Sequence, residues 1–265
     1  MVIHYSPEFG LWRHKIMTTY DFSGKYFFVA GAGGGIGSEL SRQLKKFGAN
    51  VFLCGRDAQK LEALQAELDS DGAIIDGASF ASYEEAMAKA ATHGKLSGAI
   101  CCTGSVILKS AHATTQQEFD ATIAANVTSA FGMLRSSAKA MMDQGGSIVL
   151  VSSAAAQIGL QNHEAIAAAK GAIIGLTRSA AATYARSNIR VNCIAPGLTE
   201  TPMTARLTSN EASRKASESM HALGRLGKPS DIVSSMLWLL SDEASWVTGQ
   251  VIGVDGGLGS LKTRT

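Results

Sequence analysis

From Gly31 to Gly37 the chain reads Gly-Ala-Gly-Gly-Gly-Ile-Gly, five glycines in seven residues. An apolar run, Tyr26–Ala30, precedes this string, and a segment with helical spacing of small and apolar residues follows it, ending near Gly48. A strand that turns into a helix through glycines leaves the helix amino end open, with free N–H groups and the positive end of its dipole. Side chains in that turn would hold an anion off the backbone, so the glycines suit close approach of a pyrophosphate. A glycine string alone is a weak signal. Placed after a strand and before a helix it is a stronger one, and an ordinary strand-to-helix turn seldom needs five glycines.

The rest of the chain repeats the alternation. Short apolar strands are expected at Asn50–Cys54, Gly72–Asp76, Gly98–Cys102, Ser147–Ser153, Ile189–Ala195 and Gln250–Gly257. Helices are expected at Ala58–Leu68, Tyr83–His93, Thr115–Ala125, Val127–Met142 and Glu164–Arg186, with two more between Leu198 and the last strand. Leu61, Leu64 and Leu68 share one helix face. Strands that are apolar throughout, not alternately, belong to parallel sheets buried on both faces. The pattern predicts an α/β fold with a Rossmann-type, doubly wound parallel sheet. Hydrophobic residues make up 46% and charged residues 17% of the 265, against about 25% charged in ordinary domains, which excludes disorder as the main state. There is no linker or repeat, so a single domain is expected over 21–265. Residues 1–20 read as an N-terminal extension. Its Tyr5, Phe9, Trp12 and Tyr20 suit packing on the body or a neighbour, although a tail without function is the plainer reading.

The formal net charge is +2 and no long basic run occurs, so nucleic acid is not an expected partner. The cysteines Cys54, Cys101, Cys102 and Cys193 show no CxxC spacing and no histidine cluster, so no metal site is expected. Adjacent Cys101 and Cys102 read as small buried apolar residues, and the set suits a reduced, cytoplasmic protein. Charged residues interrupt positions 1–20, which do not read as a signal peptide. No apolar run approaches the ~18 residues of a membrane span.

In dinucleotide-binding folds the end of the second strand faces the adenosine ribose, where an acid bonds the 2′-hydroxyl and repels a 2′-phosphate. Here that end reads Cys54-Gly55-Arg56, with Asp57 the nearest carboxylate. The planar fork of Arg56 suits a phosphate, so NADP(H) is favoured over NAD(H). The plainer reading makes Arg56 a solvated residue and Asp57 a helix N-cap.

From about Phe22 to Gly257 the chain resembles the short-chain dehydrogenase/reductase family, close to its acyl-carrier-protein ketoreductase-like branch. Gly31-x-x-x-Gly35-Ile36-Gly37 is similar to the family's cofactor turn, and Asp76 to its adenine-binding aspartate. Thr103-Gly104 resembles the end of the Asn-Asn-Ala-Gly motif, and Asn126 the family's helix asparagine. Ser153 and Lys170 match the catalytic serine and lysine, and Pro196-Gly197 with Thr201 the nicotinamide-side loop. Arg225-Leu226-Gly227, Thr248-Gly249-Gln250 and Asp255-Gly256-Gly257 match the C-terminal signatures. The resemblance implies a seven-stranded sheet, a small-molecule substrate, and a homotetramer or homodimer formed through the Glu164–Arg186 helix and the last strand.

Three departures stand out. The turn opens Ala30-Gly31 instead of Thr-Gly, and Cys101-Cys102 replace the two asparagines. The family's tyrosine, four residues before the lysine, is Ile166 here; counting from Ser153 with the family's spacing reaches the same residue. In the family that tyrosine gives a proton to the carbonyl oxygen while hydride reaches the carbon, and isoleucine cannot. Loss of a positioned general acid costs ~10²–10⁴-fold in rate. His163 is the candidate surrogate, because 163, 166 and 170 share a face if the helix has begun by His163; an exposed helix-start residue is an equal reading. Three readings follow: a cofactor-binding protein without chemistry, a sensor or regulator; an oxidoreductase with another proton donor; or hydride transfer needing little acid. None of the other tyrosines is an evident replacement. Met203, Leu207 and Met220, in the loop from Leu198 to Leu223, suit an apolar lid or a helix core.

Overall fold

The computed structural model describes residues 20–262. Of the aromatic residues of the extension, Tyr5, Phe9 and Trp12 lie outside the described residues. Tyr20 stacks on Phe22 and meets Phe47 edge-on, each with ring centroids 5.8 Å apart.

Seven strands form one parallel sheet: β1 Tyr26–Ala30, β2 Asn50–Gly55, β3 Gly72–Ile74, β4 Gly98–Cys101, β5 Gly146–Val151, β6 Ile189–Pro196 and β7 Val251–Val254. Their order is β3-β2-β1-β4-β5-β6-β7. The order reverses between β1 and β4, which pair in register from Phe27↔Gly98 to Ala30↔Cys101. Beyond the carboxyl ends at such a reversal the flanking loops part and leave a crevice.

The helices are α1 Gly35–Lys46, α2 Ala58–Leu68, α3 Phe80–Ala91, α4 Gln116–Ile123, α5 Ser129–Met141, α6 Glu164–Tyr184, α7 Glu211–Met220 and α8 Pro229–Leu240. Successive strand side chains face opposite ways, so each face of the sheet has its own core. Phe28, Phe52 and Ile148 meet Tyr83 of α3, Met133 of α5 and Ile173 of α6. Phe27, Val29 and Leu53 meet Leu40 and Leu44 of α1, Leu61 and Leu64 of α2, and Ile232 and Met236 of α8.

Several local expectations shift. The helices expected on either side of Asn126 are joined through a π turn, Ala124–Thr128. α3 begins at Phe80, because Ser79 caps it by accepting from Ser82 N at 3.3 Å. β3 stops at Ile74 and the long α6 at Tyr184. The cysteine pair divides: Cys101 is buried on one face of the sheet, whereas Cys102 is only half-buried and packs on the other.

Candidate functional site

The glycine turn brings backbone segments closer than side chains allow. Gly31 has φ +81°, and a Cβ there would lie 2.6 Å from the carbonyl carbon of Cys102. A Cβ on Gly37 would collide with the carbonyl oxygen of Gly31, and one on Gly35 would lie 2.9 Å from Thr201 Cβ. Ile36 packs on the second core. Gly34 caps α1 without a side-chain hydrogen bond, no acid lies in the first turn, and Lys45 and Lys46 occupy the last. The amino end of α1 is therefore a small cradle of N–H groups at the positive end of the dipole.

At the end of β2, Arg56 is exposed. Asp57 accepts from Lys60 N at 3.2 Å and pairs with Lys60 Nζ at 3.2 Å. The Lys60 hydrogen bonds hold its carboxyl below the ordinary aspartate range. Sequence reasoning missed Lys60, whose Cβ lies 3.3 Å from where a Cβ on Gly33 would sit. Its position three residues after Asp57 was the available signal. Asp76 is exposed beyond β3, with its side chain accepting from Ala78 N at 2.9 Å.

Beneath Gly77 runs a chain of hydroxyls. Tyr83 OH and Ser129 Oγ are 2.6 Å apart, Ser129 Oγ bonds Thr103 Oγ1, and Thr103 Oγ1 meets Cys101 Sγ at 3.0 Å. A Cβ on Gly77 would lie 3.4 Å from Ser129 Oγ. The chain links the turn after β3 to the end of β4, a place where both asparagines of the family motif are gone. Burial pushes the Tyr83 phenol up, so it stays protonated and can donate.

Asn126 and Lys170 converge at Gly104. A Cβ on Gly104 would lie 2.8 Å from Asn126 Oδ1 and 3.3 Å from Lys170 Nζ. Asn126 sits in the π turn, a distortion frequent at functional sites, and donates to Thr122 O at 2.9 Å and Ser105 Oγ at 3.2 Å. Lys170 is buried and donates to Val151 O at 3.0 Å. Burial lowers its ammonium from the ordinary lysine range, while Cys101, Cys193 and Cys102 act the other way. Ser153 lies two residues beyond β5, half-buried, with Oγ accepting from Ala155 N at 3.1 Å.

Ile166 is buried on α6 yet belongs to neither sheet core. His163 is the residue before α6, with its Nδ1 2.7 Å from Gln161 O. It precedes the first regular turn, so helical spacing does not set its direction, and the shared-face condition is unmet. Among the described residues, Ser153 and His163 make no hydrogen bond to Lys170 or Asn126. Pro196 ends β6, and Thr201 N donates to Thr204 Oγ1 at 3.0 Å. Met203 and Met220 are about half exposed, at 49% each, so they are not helix core. A cavity of about 280 Å³ lined by Thr115, Phe119, Glu164 and Ala165 lies at the start of α6, away from the glycine turn.

Sheet order, glycine cradle and crevice define a Rossmann-type α/β protein. The family model described as enoyl-(acyl carrier protein) reductase matches residues 31–259. The chain belongs to the short-chain dehydrogenase/reductase family. It is 33% identical to a tropinone reductase homolog of Arabidopsis thaliana over 90% of this chain and 93% of that protein. It is 34% identical to a 3-oxoacyl-acyl-carrier-protein reductase of Rickettsia felis over 90% of this chain and 98% of that protein. Among solved structures it is similar to a short-chain type dehydrogenase/reductase from Mycobacterium ulcerans, with TM-score 0.86, 31% identity and 91% of both chains covered. It is also similar to an actinorhodin polyketide ketoreductase solved with NADPH, with TM-score 0.86, 27% identity, and 89% of this chain and 98% of that one covered. Among the described residues no helix is long and apolar enough to cross a membrane.

Proposed function

We propose that the chain is an NADP(H)-dependent oxidoreductase that interconverts a carbonyl and an alcohol on a small-molecule substrate, with a proton donor other than tyrosine. The observation that carries this reading is the convergence of Asn126 Oδ1 and Lys170 Nζ on Gly104. Lys170 alone would serve a bound cofactor, but Asn126 beside it is a polar side chain that cofactor binding does not call for, and the pair together favours retained chemistry.

The residues present fit the cofactor. Gly31, Gly35, Ile36 and Gly37 with the amino end of α1 would hold its pyrophosphate, because a Cβ in that cradle meets backbone or Thr201. Asp57 is engaged as the cap of α2 and paired with Lys60, which leaves the exposed Arg56 for a 2′-phosphate and supports NADP(H) over NAD(H). Asp76 is assigned to the adenine, Thr103 and Gly104 to the adjoining ribose wall, Lys170 to the nicotinamide ribose, and Pro196, Gly197 and Thr201 to the nicotinamide side. Bound there, NADP(H) supplies or accepts the hydride. Ser153 orients the substrate oxygen, and Asn126 holds a water on the proton path. Ile166 keeps the place of the family tyrosine dry but gives no proton. His163 is assigned as the surrogate acid on its chemistry, not its placement: with Nδ1–H donated to Gln161 O, Nε2 is the ring nitrogen left to serve a proton path.

The sequence 21–265 is read as one domain with 1–20 an added arm. The exposed Phe119, Phe131 and Trp246 support a homotetramer or homodimer, and four free cysteines suit a reduced cytoplasm. A second reading, an inactive NADP(H)-binding sensor or regulator, is favoured by one observation, the buried Ile166. The test is NADPH consumption by the purified chain over a panel of ketones and β-ketoacyl thioesters, with NADH as control. Turnover that falls ~10²-fold or more in His163→Ala supports the oxidoreductase and its donor. Turnover unchanged in that variant removes His163 from the role. NADPH binding without turnover on any carbonyl favours the sensor.

A further inference from the structure

His221 is buried, 3% exposed, and has no part in the chemistry above. It follows the last residue of α7. Its Nδ1 lies 2.7 Å from Ser217 O, and its Nε2 lies 3.1 Å from Leu198 N. A carbonyl only accepts and a backbone N–H only donates. Nδ1 therefore carries the proton and Nε2 accepts, an arrangement that only the neutral ring can meet.

The ring touches three separate parts of the chain. A Cβ on Gly197 would lie 2.7 Å from His221 Nε2 and 2.9 Å from Asp255 Cα, and one on Gly256 would lie 3.4 Å from His221 Cβ. Leu223 N also donates to Gly256 O at 3.0 Å. The segment after β6, the carboxyl end of α7 and the turn after β7 thus meet at one imidazole.

We propose that His221 is a positioning residue that fixes the Leu198 backbone, and with it the stretch from Gly197 to Thr201, and that it does so only while neutral. The inference rests on the reading of that stretch as the nicotinamide-side wall. A proton on Nε2 would face the Leu198 N–H, setting donor against donor and removing the acceptor. The charged groups on the elements packed against the ring give a cation no direct partner. Asp255 uses both oxygens on Gly257 N and Gly259 N, at 2.9 and 2.8 Å. Glu218 of α7 and Glu200 of the segment after β6 both pair with Arg214, at 3.0 and 2.6 Å. Protonation of the ring therefore loosens the wall.

The experiment compares amide hydrogen exchange across 196–224, corrected for intrinsic rates, in the wild type, His221→Gln and His221→Phe. In the wild type, protection of this segment falls about tenfold from about pH 8 to about pH 5.5, the worth of one buried hydrogen bond. His221→Gln retains an acceptor that does not titrate and keeps its protection at both pH values. His221→Phe is unprotected at both; if it fails to fold, the wild type and Gln pair decides alone. NADPH affinity, followed by nicotinamide fluorescence, separates the same two proteins only at the lower pH, since titration of the 2′-phosphate affects both alike. An identical pH response of wild type and His221→Gln overturns the proposal. The expected exchange pattern without NADPH binding at either pH upholds the histidine's hold on the loop and overturns its cofactor reading. NADPH binding without the exchange difference does the reverse.

Discussion

The carboxyl edge of the sheet carries two rims built on opposite terms. Around the glycine turn, backbone is packed tight: Gly31 lies against the Cys102 backbone, Gly37 against the Gly31 backbone, and Gly35 against the Thr201 side chain. At Gly31 and Gly37 no side chain can be added without moving main chain. Around Gly104 the contacts are made by side chains, mostly to backbone carbonyls, and they are sparse. Lys170 reaches one carbonyl, Asn126 reaches Thr122 and Ser105, and Ile166 stands where a proton donor is expected. The first rim resists change because almost any substitution costs packing. The second tolerates change because one side chain can be exchanged for another of similar bulk while the backbone stays in place. Cofactor binding and chemistry are therefore separable in this fold, and a chain can keep one intact while altering the other.

The largest effect expected from breaking that contrast is a gain. Ile166→Tyr places a hydroxyl four residues before Lys170, whose ammonium favours the ionised phenol and brings it toward working pH. With the rest of the rim in place, carbonyl reduction rises ~10²–10⁴-fold over the wild type. Initial rates with NADPH and one ketone measure it. No gain, with NADPH still bound, means that the rim around Gly104 has diverged at more than the tyrosine.

On the other rim the smallest possible addition is expected to be damaging. Gly37→Ala drives a methyl group into the Gly31 carbonyl oxygen, where α1 packs closest to the start of the turn. Overpacking of this kind costs about 1–3 kcal/mol, read as a lower midpoint in urea, and NADPH affinity falls with it. Ile166→Tyr leaves NADPH affinity nearly unchanged. Equal losses of binding in the two variants would remove the distinction between the rims.

How far each rim could be read from sequence follows from the same contrast. The glycine turn was legible because strand, turn and helix are contiguous, and so was the doubly wound sheet, since every strand is a local apolar run. The two helices expected around Asn126 form one path because a π turn adds a residue and shifts the apolar period, which imitates a break. His163 was placed by helical spacing and lies outside the helix as its N-cap. The hydroxyl chain was not legible at all: Tyr83 and Ser129 are 46 residues apart. Nor was the hold of His221 on Leu198, 23 residues earlier. Such pairings are products of topology, and no local pattern announces them. Cys102 was misjudged because two adjacent strand-end residues face opposite sides of the sheet, so burial of one says nothing about the other.

The smallest effect sharpens the comparison at Lys170, the one buried cation of the reacting rim. Its pKa is lowered by burial, so the folded chain releases this proton at a lower pH than the unfolded chain does. Below the folded value both states are protonated and stability does not depend on this group. Between the folded value and the ordinary lysine value near 10.4 the unfolded state binds more protons, and stability rises with pH. Each unit of lowering corresponds to about 1.4 kcal/mol of that rise. Lys170→Met removes the titrating group but keeps the buried stem, so urea unfolding of the variant loses the alkaline rise. In contrast, Gly37→Ala lowers stability by the same amount at every pH and leaves the rise in place. A Lys170→Met curve parallel to the wild type would show that the lysine sits in a solvated place, and the reacting rim would then not be the dry, sparsely bonded region that sets it apart from the glycine turn.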